Sequence, residues 1–408
     1  MTQYKNRLLK DWIDSCVEYA DETEPPRLFK IWSAIAAIST VLERKCYIDW
    51  GIEDRLYPNM FIVLCGPSSA RKGTAMKKVG KLLKVLEDEE KICRTPDSCS
   101  REKLLSIVAG SLKGEGDSRH CSVTVFATEL TVFIDKQAKD IISDLNKLFD
   151  CEETFKYATK HQGTDLIHNV YVALFGATTP GHIQSEFPPI ATTGGFTSRV
   201  VFVFGDKKDK KVPLPVHSPK LLELERRLIF DLNIIHSLRG EFHMTKGFLE
   251  SYSAWYMNSD KDHKLDDNQF TGYLGRRADH MRKLSIIFCA SRGNSMRIEV
   301  EDFIQAHNLL LQTEKYMPFV FSGHGRCHGS NIIEDLLRSV RDALGEWVLV
   351  EDVFRRYIFD ATWEEMMIYA ETLSHVPEIE YVRDKKTNKP KARTRAEFVK
   401  RPDDKTTL

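Results

Sequence analysis

A strand-like apolar run that passes directly into a small-residue loop with a lysine near its end is the most constraining feature of this sequence. The run covers residues 60–65, and the loop reads Gly66-Pro67-Ser68-Ser69-Ala70-Arg71-Lys72-Gly73-Thr74. The backbone N–H groups of such a loop, with the start of the following helix, form a cradle for anions. The lysine can reach the β- and γ-phosphates of a nucleotide. The segment therefore predicts a phosphate-binding loop between a buried strand and a helix.

The loop departs from the common G-x-x-x-x-G-K-S/T pattern at two positions. Arg71 stands where a second glycine is usual, and Gly73 stands where a serine or threonine usually binds magnesium. Thr74, one residue later, is the candidate for that hydroxyl. The alternative interpretation is an ordinary Gly/Ser turn between a strand and a helix, so the loop needs support from other motifs.

Composition indicates a soluble, intracellular protein. The chain has 408 residues, which is long for one core, and its 59 basic residues equal its 59 acidic residues, so only local charge can indicate a partner. None of the nine cysteines forms a C-x-x-C pair, which favours reduced thiols in a cytoplasmic protein. The longest apolar stretch is too short to cross a bilayer, and the N-terminus lacks a signal-peptide pattern. We expect no membrane partner.

Hydrophobic periodicity divides the chain into five parts. Residues 1–55 predict a helical N-terminal element, and residues 56–212 predict an α/β core with a mainly parallel sheet. Residues 213–320 predict helices, and 321–330 a polar linker. Residues 331–408 read as helix, short strand, two helices and a hairpin, the order of a winged helix. The strands predicted for the core are 61–65, 123–127, 170–176 and 199–204.

Acidic, hydroxyl and basic side chains stand at the ends of these strands, where open α/β sheets bind ligands. Glu129 follows the second strand, and in P-loop ATPases this place holds the acid that polarises the attacking water and helps to bind magnesium. Thr128 occupies the preceding place, where an aspartate is usual. Thr178 or Thr179, after the third strand, could sense the γ-phosphate, and Arg199 could reach a neighbouring subunit's phosphate. The alternatives are that Glu129 only caps a helix, that the two threonines form an ordinary turn, and that Arg199 lies at the rim of the core.

Together these motifs resemble a known family. They are similar to those of phage- and plasmid-borne P-loop proteins of the replicative helicase type, which in turn resemble the AAA+ helicases of superfamily 3 and the minichromosome-maintenance group. The resemblance spans about residues 8–320, and the winged-helix tail matches in kind. It is carried by residues 56–59, the loop 66–74, and the segments 127–130, 159–165, 176–180 and 194–199.

The resemblance assigns roles to two further segments. A predicted hairpin over residues 155–165 would line the central channel of a ring, with Lys160 and His161 at its tip gripping the DNA backbone. The segment 273–288 resembles the AAA+ lid, in which one arginine closes over the nucleotide. Arg276, Arg277 and Arg282 are the candidates, and Arg282 stands directly before an apolar run.

The C-terminal tail has a local excess of positive charge. In a winged helix this stretch would be the wing that lies along the phosphate backbone, and a merely solvated tail is the alternative. The candidate DNA-binding residues here are Lys385, Lys386, Lys389, Lys391, Arg393 and Arg395.

The resemblance implies a ring-forming, ATP-dependent DNA helicase or translocase of phage or mobile-element replication. It would bind ATP and Mg²⁺, act on single-stranded or forked DNA, and assemble as a homo-oligomer, expected to be a hexamer, in the bacterial cytoplasm. Primase and other replication proteins are candidate partners. The alternatives are a helicase loader or DNA-packaging motor, and a DNA-binding initiator that binds ATP with little or no hydrolysis.

Overall fold

A computed structural model of the chain contains two compact units, Met1–Ser322 and Gly323–Leu408. The first unit carries the phosphate loop, and the second carries the basic tail. The described residues are 6–52, 55–134, 138–159, 163–186, 195–214, 216, 218–259, 262–263, 265, 270–321, 330–357, 362–384 and 389–396.

The first unit contains twelve helices and eleven strands within its described residues. The helices are α1 (Trp12–Ala20), α2 (Arg27–Leu42), α3 (Lys72–Asp88), α4 (Arg101–Gly110), α5 (Leu130–Ile134), α6 (Ala138–Phe149), α7 (Pro180–Glu186), α8 (Phe196–Arg199), α9 (Pro219–Ser237), α10 (Lys246–Tyr256), α11 (Thr271–Arg292) and α12 (Val300–Glu314). The strands are β1 (Cys46–Tyr47), β2 (Phe61–Cys65), β3 (Leu112–Lys113), β4 (His120–Ala127), β5 (Thr154–Thr159), β6 (Gly163–His168), β7 (Val170–Thr178), β8 (Val200–Phe204), β9 (Gly240–Glu241), β10 (His243–Met244) and β11 (Arg297–Ile298).

The central sheet has five strands in the order β3-β4-β7-β2-β8. The last four are mutually parallel, and only β3 is antiparallel to its neighbour. In the register, Phe61 of β2 lies between Leu174 of β7 and Val200 of β8. Strands β2 and β7 are buried along their whole length, as expected for a parallel sheet covered on both faces. The predicted α/β class with a mainly parallel sheet is confirmed.

The two N-terminal helices belong to the same hydrophobic core as the sheet. Trp12 of α1 and Trp32 of α2 are fully buried. The Trp12 indole donates to Leu228 O at 3.0 Å, and the Trp32 indole donates to Thr313 Oγ1 at 2.9 Å. Both buried indole N–H groups are therefore satisfied by distant helices, which fixes α1 and α2 against α9 and α12.

The second unit has its own hydrophobic core, to which Leu336, Met366 and Ile379 contribute. Its helices are α13 (Ser330–Asp342), α14 (Val350–Phe354) and α15 (Trp363–Thr372), and its strands are β12 (Val348–Leu349), β13 (Ile379–Arg383) and β14 (Pro390–Thr394). The strands form an antiparallel sheet in the order β12-β14-β13. The predicted order of helix, strand, two helices and hairpin is confirmed for these residues.

Several predicted boundaries were wrong. Strand β4 starts at His120 rather than at residue 123, and β7 ends at Thr178 rather than at residue 176. Strand β8 starts at Val200 because Gly195, at φ 84°, begins the one-turn helix α8 that ends at Arg199. Residues 213–320 are not helical throughout, because they contain the short strands β9, β10 and β11, which form the parallel pairs β1–β9 and β10–β11. In the final hairpin, Asp384 N donates to Lys389 O, and β14 spans Pro390–Thr394.

No helix in the described part of the chain has both the length and the apolar character needed to span a membrane.

Candidate nucleotide site

The phosphate loop leaves the carboxyl end of β2, between β7 and β8. Gly66 N donates to Thr178 O at 3.3 Å, and Gly205 N donates to Cys65 O at 3.0 Å. A Cβ atom at Gly66 would lie 2.1 Å from Gly205 O. Only glycine fits this close approach of backbones, so the first glycine of the motif is explained by packing.

Arg71 takes over the backbone role of the missing second glycine. It has φ 61° and ψ 29°, the left-handed conformation that glycine adopts without strain. Its guanidinium is held outside the loop by Glu24, with Nε donating to Oε2 at 2.7 Å. Ser68 and Ser69 form a short 3₁₀ turn with Ala70 and are exposed. The departure at position 71 therefore leaves the loop's path unchanged.

Lys72 is the first residue of α3 and lies back across the loop. Its ammonium donates to Gly66 O at 2.6 Å and to Pro67 O at 3.0 Å, and the residue is 9% exposed. Burial lowers its pKa, although the Cys65 and Glu129 side chains act in the opposite direction. No described carboxylate forms an ion pair with Lys72, so its charge is available to a phosphate.

The helix start provides one half-buried hydroxyl. Thr74 lies in the first turn of α3, and its backbone N donates to Arg71 O at 3.1 Å. Nothing lies within 4 Å of the position that a Cβ atom would take at Gly73, and nothing in the structure explains this glycine.

Glu129 lies at the same edge of the sheet as Lys72. It follows β4, and its half-exposed carboxylate accepts from Thr131 Oγ1 at 3.5 Å and lies 3.5 Å from His182 Nδ1. Its charge acts on the pKa of Lys72. The predicted acid and the predicted lysine are thus brought together.

Asp97 is a carboxylate at this edge that sequence reasoning missed. The Thr128 hydroxyl donates to Asp97 Oδ1 at 3.0 Å, and the Thr128 N–H donates to the same atom at 3.4 Å. Asp97 follows a short segment that runs beside β4, with Thr95 N donating to Thr124 O at 3.0 Å. Sequence reasoning missed this segment because it has no apolar run that would predict a strand. The threonine at position 128, where an acid is usual, was the signal that another acid could lie nearby.

The two candidate threonines after β7 have different environments. Thr178 is fully buried, and its hydroxyl has no hydrogen-bond partner among the described residues. The Thr179 hydroxyl instead accepts from His182 N at 3.3 Å and caps α7. A buried hydroxyl without a hydrogen bond is costly, so of the two threonines Thr178 is the better candidate to bond a ligand.

Arg199 lies at the opposite edge of the sheet. It precedes β8, whereas the phosphate loop follows the parallel strand β2, and five residues at about 3.3 Å each separate the edges by about 17 Å. Its guanidinium donates to Asp150 Oδ2 at 2.7 Å and to Gly195 O at 3.0 Å. Asp150 also accepts from Arg276 at 3.2 Å. Arg199 cannot act at its own subunit's loop.

Arg282, one of the three candidates for the arginine that closes over the nucleotide, does not lie beside the phosphate loop. Arg282 is buried on α11, pairs with Asp279, and stacks 4.3 Å from the Trp50 ring. The next residue, Lys283, donates to Asn59 O at 3.0 Å, and Asn59 precedes β2. Arg282 is therefore on the side of the sheet opposite the loop.

The other two candidate lid arginines have different environments, since Arg277 is buried and Arg276 is partly exposed. Arg277 forms a buried bidentate pair with Glu314, at 2.6 and 2.9 Å, which joins α11 to α12. Arg276 shares the Asp150 carboxylate with Arg199. Of the three candidates, only Arg276 lies beside another predicted functional residue.

The structure describes only some of the predicted DNA-binding residues. Strands β5 and β6 form the predicted hairpin, with Thr159 opposite Gly163, but Lys160 and His161 lie outside the described residues. Lys385 and Lys386 also lie outside them. In the tail, Lys389 pairs with Glu351, Lys391 with Asp384 at 3.1 Å, and Arg393 with Glu380 at 2.8 Å, and Arg395 donates to Ile379 O at 3.4 Å. Three of these cations are thus partly neutralised.

The site suits a magnesium nucleotide better than an isolated metal. The described residues contain no group of three or more His, Cys, Asp or Glu side chains that could hold a metal ion. Magnesium in nucleotide sites keeps several waters and is held by one or two carboxylates together with the phosphates. Thr74, Asp97 and Glu129 could supply that sparse set, and the unpaired Thr178 hydroxyl and Lys72 could meet the phosphates.

Comparison with known proteins gives no independent support for a function, because no family model and no curated protein matches the chain. The functional argument therefore depends on the geometry of the site.

We expect Thr178→Val and Thr179→Ala to have opposite effects on stability. Thr178→Val removes a buried hydroxyl without a described partner, so the free energy of unfolding should be unchanged or slightly higher. Thr179→Ala removes a helix cap and should lower it by about 1 kcal/mol. Urea denaturation of the nucleotide-free variants measures both. A greater loss for Thr178→Val would show that its hydroxyl is already paired.

Proposed function

We propose that the chain is an ATP-driven AAA+ motor that assembles as a ring and moves along or unwinds DNA. The observation that carries the proposal is the separation of Arg199 from the phosphate loop. Lys72, Glu129 and Thr178 lie at one edge of the parallel sheet, and Arg199 lies at the other. A second copy of the chain, presenting its Arg199 to this site, would complete the set of groups that phosphoryl transfer needs.

In this proposal each residue has a distinct task. The loop N–H groups and Lys72 bind the β- and γ-phosphates, and the magnesium ion supplies electrostatic stabilisation of their charge. Thr74 and Asp97 would help to hold the ion. Glu129 orients and polarises the attacking water, and Thr178 donates to the γ-phosphate. Arg199 of a neighbouring copy stabilises the charge that develops in transfer.

Two further features support a DNA motor. The β5–β6 hairpin lies between α6 and β7, the place at which superfamily 3 helicases carry their channel hairpin. The order α13, β12, α14, α15, β13, β14, with β14 between the other two strands, supports a winged helix. The ion pairs of Lys391 and Arg393 reduce the charge that such a wing could offer to DNA.

Steady-state ATP hydrolysis with and without single-stranded DNA, beside unwinding of a forked duplex, tests the proposed function. The proposal predicts DNA-stimulated hydrolysis and unwinding. Stimulated hydrolysis without unwinding would indicate a loader or packaging motor. Absent hydrolysis with retained ATP binding would indicate the initiator and would contradict the proposed motor.

We expect Asp97→Asn to weaken the use of magnesium. The amide keeps the hydrogen bond to Thr128 but loses the negative charge, so half-maximal hydrolysis should need about tenfold more Mg²⁺. Titration of Mg²⁺ against ATP affinity and turnover measures this effect. Asp88→Asn, on an exposed part of α3, is the matched control. Identical magnesium dependence in both variants would contradict the assignment of Asp97 to the magnesium site.

Mixed rings test whether Arg199 acts between subunits. Arg199→Ala and Glu129→Gln should each be inactive alone, while a mixture should recover part of the ATPase activity. In mixed rings some interfaces pair an intact Glu129 with a neighbour's intact Arg199. Zero activity at all mixing ratios, with mixed rings confirmed by mass, would contradict the assignment.

A further inference from the structure

A cleft lies along the amino-terminal edge of the sheet, away from the phosphate loop. It consists of two adjoining cavities of about 1070 and 420 Å³. Both are lined by Arg44, Arg55, Tyr57, Arg119 and Asn169, and we call their union the arginine cleft. Arg119 directly precedes β4 and Asn169 directly precedes β7, which places the cleft at the edge opposite Lys72.

The smaller cavity is strongly basic in a chain without net charge. Among the described residues, seven lysines and arginines line it, against the two acids Glu43 and Glu90. Glu43 is already used, because Lys45 lies 3.3 Å and Lys113 2.7 Å from its carboxylate. Burial would raise the pKa of Glu43, but a hydrogen bond from His236 and the two lysine charges outweigh it and lower the pKa to about 2. Lys91 pairs with Glu89 at 2.6 Å, which leaves the four arginines of this cavity without a carboxylate partner among the described residues.

Arg44 provides a buried, fixed cation in the floor of the cleft. The residue is 9% exposed, and its Nη1 donates to the backbone carbonyls of Val170, at 2.6 Å, and Cys151. Its guanidinium stacks 4.4 Å from the centre of the Tyr57 ring. No described carboxylate pairs with Arg44, so its charge adds to the field in the cleft.

The exposed arginines of the cleft likewise have no carboxylate partner among the described residues. Arg55, Arg119 and Arg239 form no ion pair with any described carboxylate, and all three are exposed. Arg55 stacks 4.3 Å from the Tyr47 ring centre. Stacking on an aromatic face orients a guanidinium and leaves its N–H edge available, the geometry that recognises phosphate.

The lining argues against an ordinary small-molecule pocket, because none of the described residues that line either cavity has an aliphatic side chain. We propose that the arginine cleft binds the phosphodiester backbone of a single nucleic-acid strand. The arginines of the smaller cavity suit repeated phosphates. The larger cavity, which adjoins the base of the β5–β6 hairpin at His168, also carries the acids Asp150, Glu152 and Glu153, so the strand is expected to lie mainly along the smaller cavity. The choice of nucleic acid rests on the proposed function, whereas the binding itself requires no ATP hydrolysis.

Fluorescence anisotropy with a fluorescein-labelled oligothymidylate, without nucleotide and over a range of salt, tests the cleft in the full chain. The test variant is Arg55→Glu/Arg119→Glu. The control is Arg226→Glu/Lys246→Glu, which makes the same charge change at side chains 80% and 91% exposed. Arg55→Lys/Arg119→Lys keeps the charge.

We expect the test variant to bind at least about tenfold more weakly than the control. Its slope of log affinity against log salt should be shallower by about 1.4, because each phosphate contact on a single strand contributes about 0.7. The lysine pair should keep the wild-type salt slope, because its charge is unchanged. Circular dichroism and thermal unfolding confirm that each variant is folded.

Equal affinity and equal salt slope in the test and control variants would overturn the proposal that the arginine cleft binds a nucleic-acid strand. Displacement of the strand by inorganic pyrophosphate as effectively as by unlabelled strand would also overturn it, in favour of a small phosphorylated ligand. If the cleft variants behave as expected but the wild type hydrolyses no ATP, the proposed motor is wrong and the cleft stands. If the wild type hydrolyses ATP but the cleft variant binds the strand as the control does, the proposed motor stands and the cleft proposal is wrong.

Discussion

The parallel pairing of β2 with both β7 and β8 is the constraint on which the remaining geometry depends. Because the strands share one direction, residues that follow them gather at one edge, and residues that precede them gather at the other. Lys72 and Thr178 therefore meet at the carboxyl edge, while Arg199 lies at the amino edge. The arginine cleft lies at the same amino edge, and Asp150, which binds Arg199, lines its larger cavity.

Buried polar contacts fix the long helix α11 against this sheet. Lys283 is buried, donates to Asn59 Oδ1 at 2.6 Å, and lies 3.8 Å from the Phe149 ring centre. Burial lowers its pKa to about 8. Arg277 and Glu314 hold the other side of the helix, and loss of one partner would leave a buried charge. The position of Arg276 beside Arg199 follows from these contacts, because Asp150 adjoins Phe149 and binds both arginines.

The sequence predicted the sheet well because buried parallel strands are continuous apolar runs with clear ends. Strand β2, the loop after it and the acid at Glu129 follow from local pattern alone. The boundary at Arg199 was missed because a one-turn helix has no periodicity. Asp97 and the role of Arg282 depend on which segments meet in space, and spacing along the chain does not contain that information. The choice of Thr178 over Thr179 needed burial and hydrogen bonds, since both residues read equally well as a turn.

The most direct test of the central claim is the affinity of nucleotide-free protein for ATP, measured by isothermal titration calorimetry in wild type, Lys72→Ala and Lys77→Ala. Lys77 is an exposed lysine on the same helix and controls for charge. Because a charge-assisted hydrogen bond contributes about 1.5–3 kcal/mol, the account predicts that Lys72→Ala binds ATP about ten- to a hundredfold more weakly and that Lys77→Ala binds as the wild type does. Equal affinity in all three proteins would contradict the assignment of the phosphate loop.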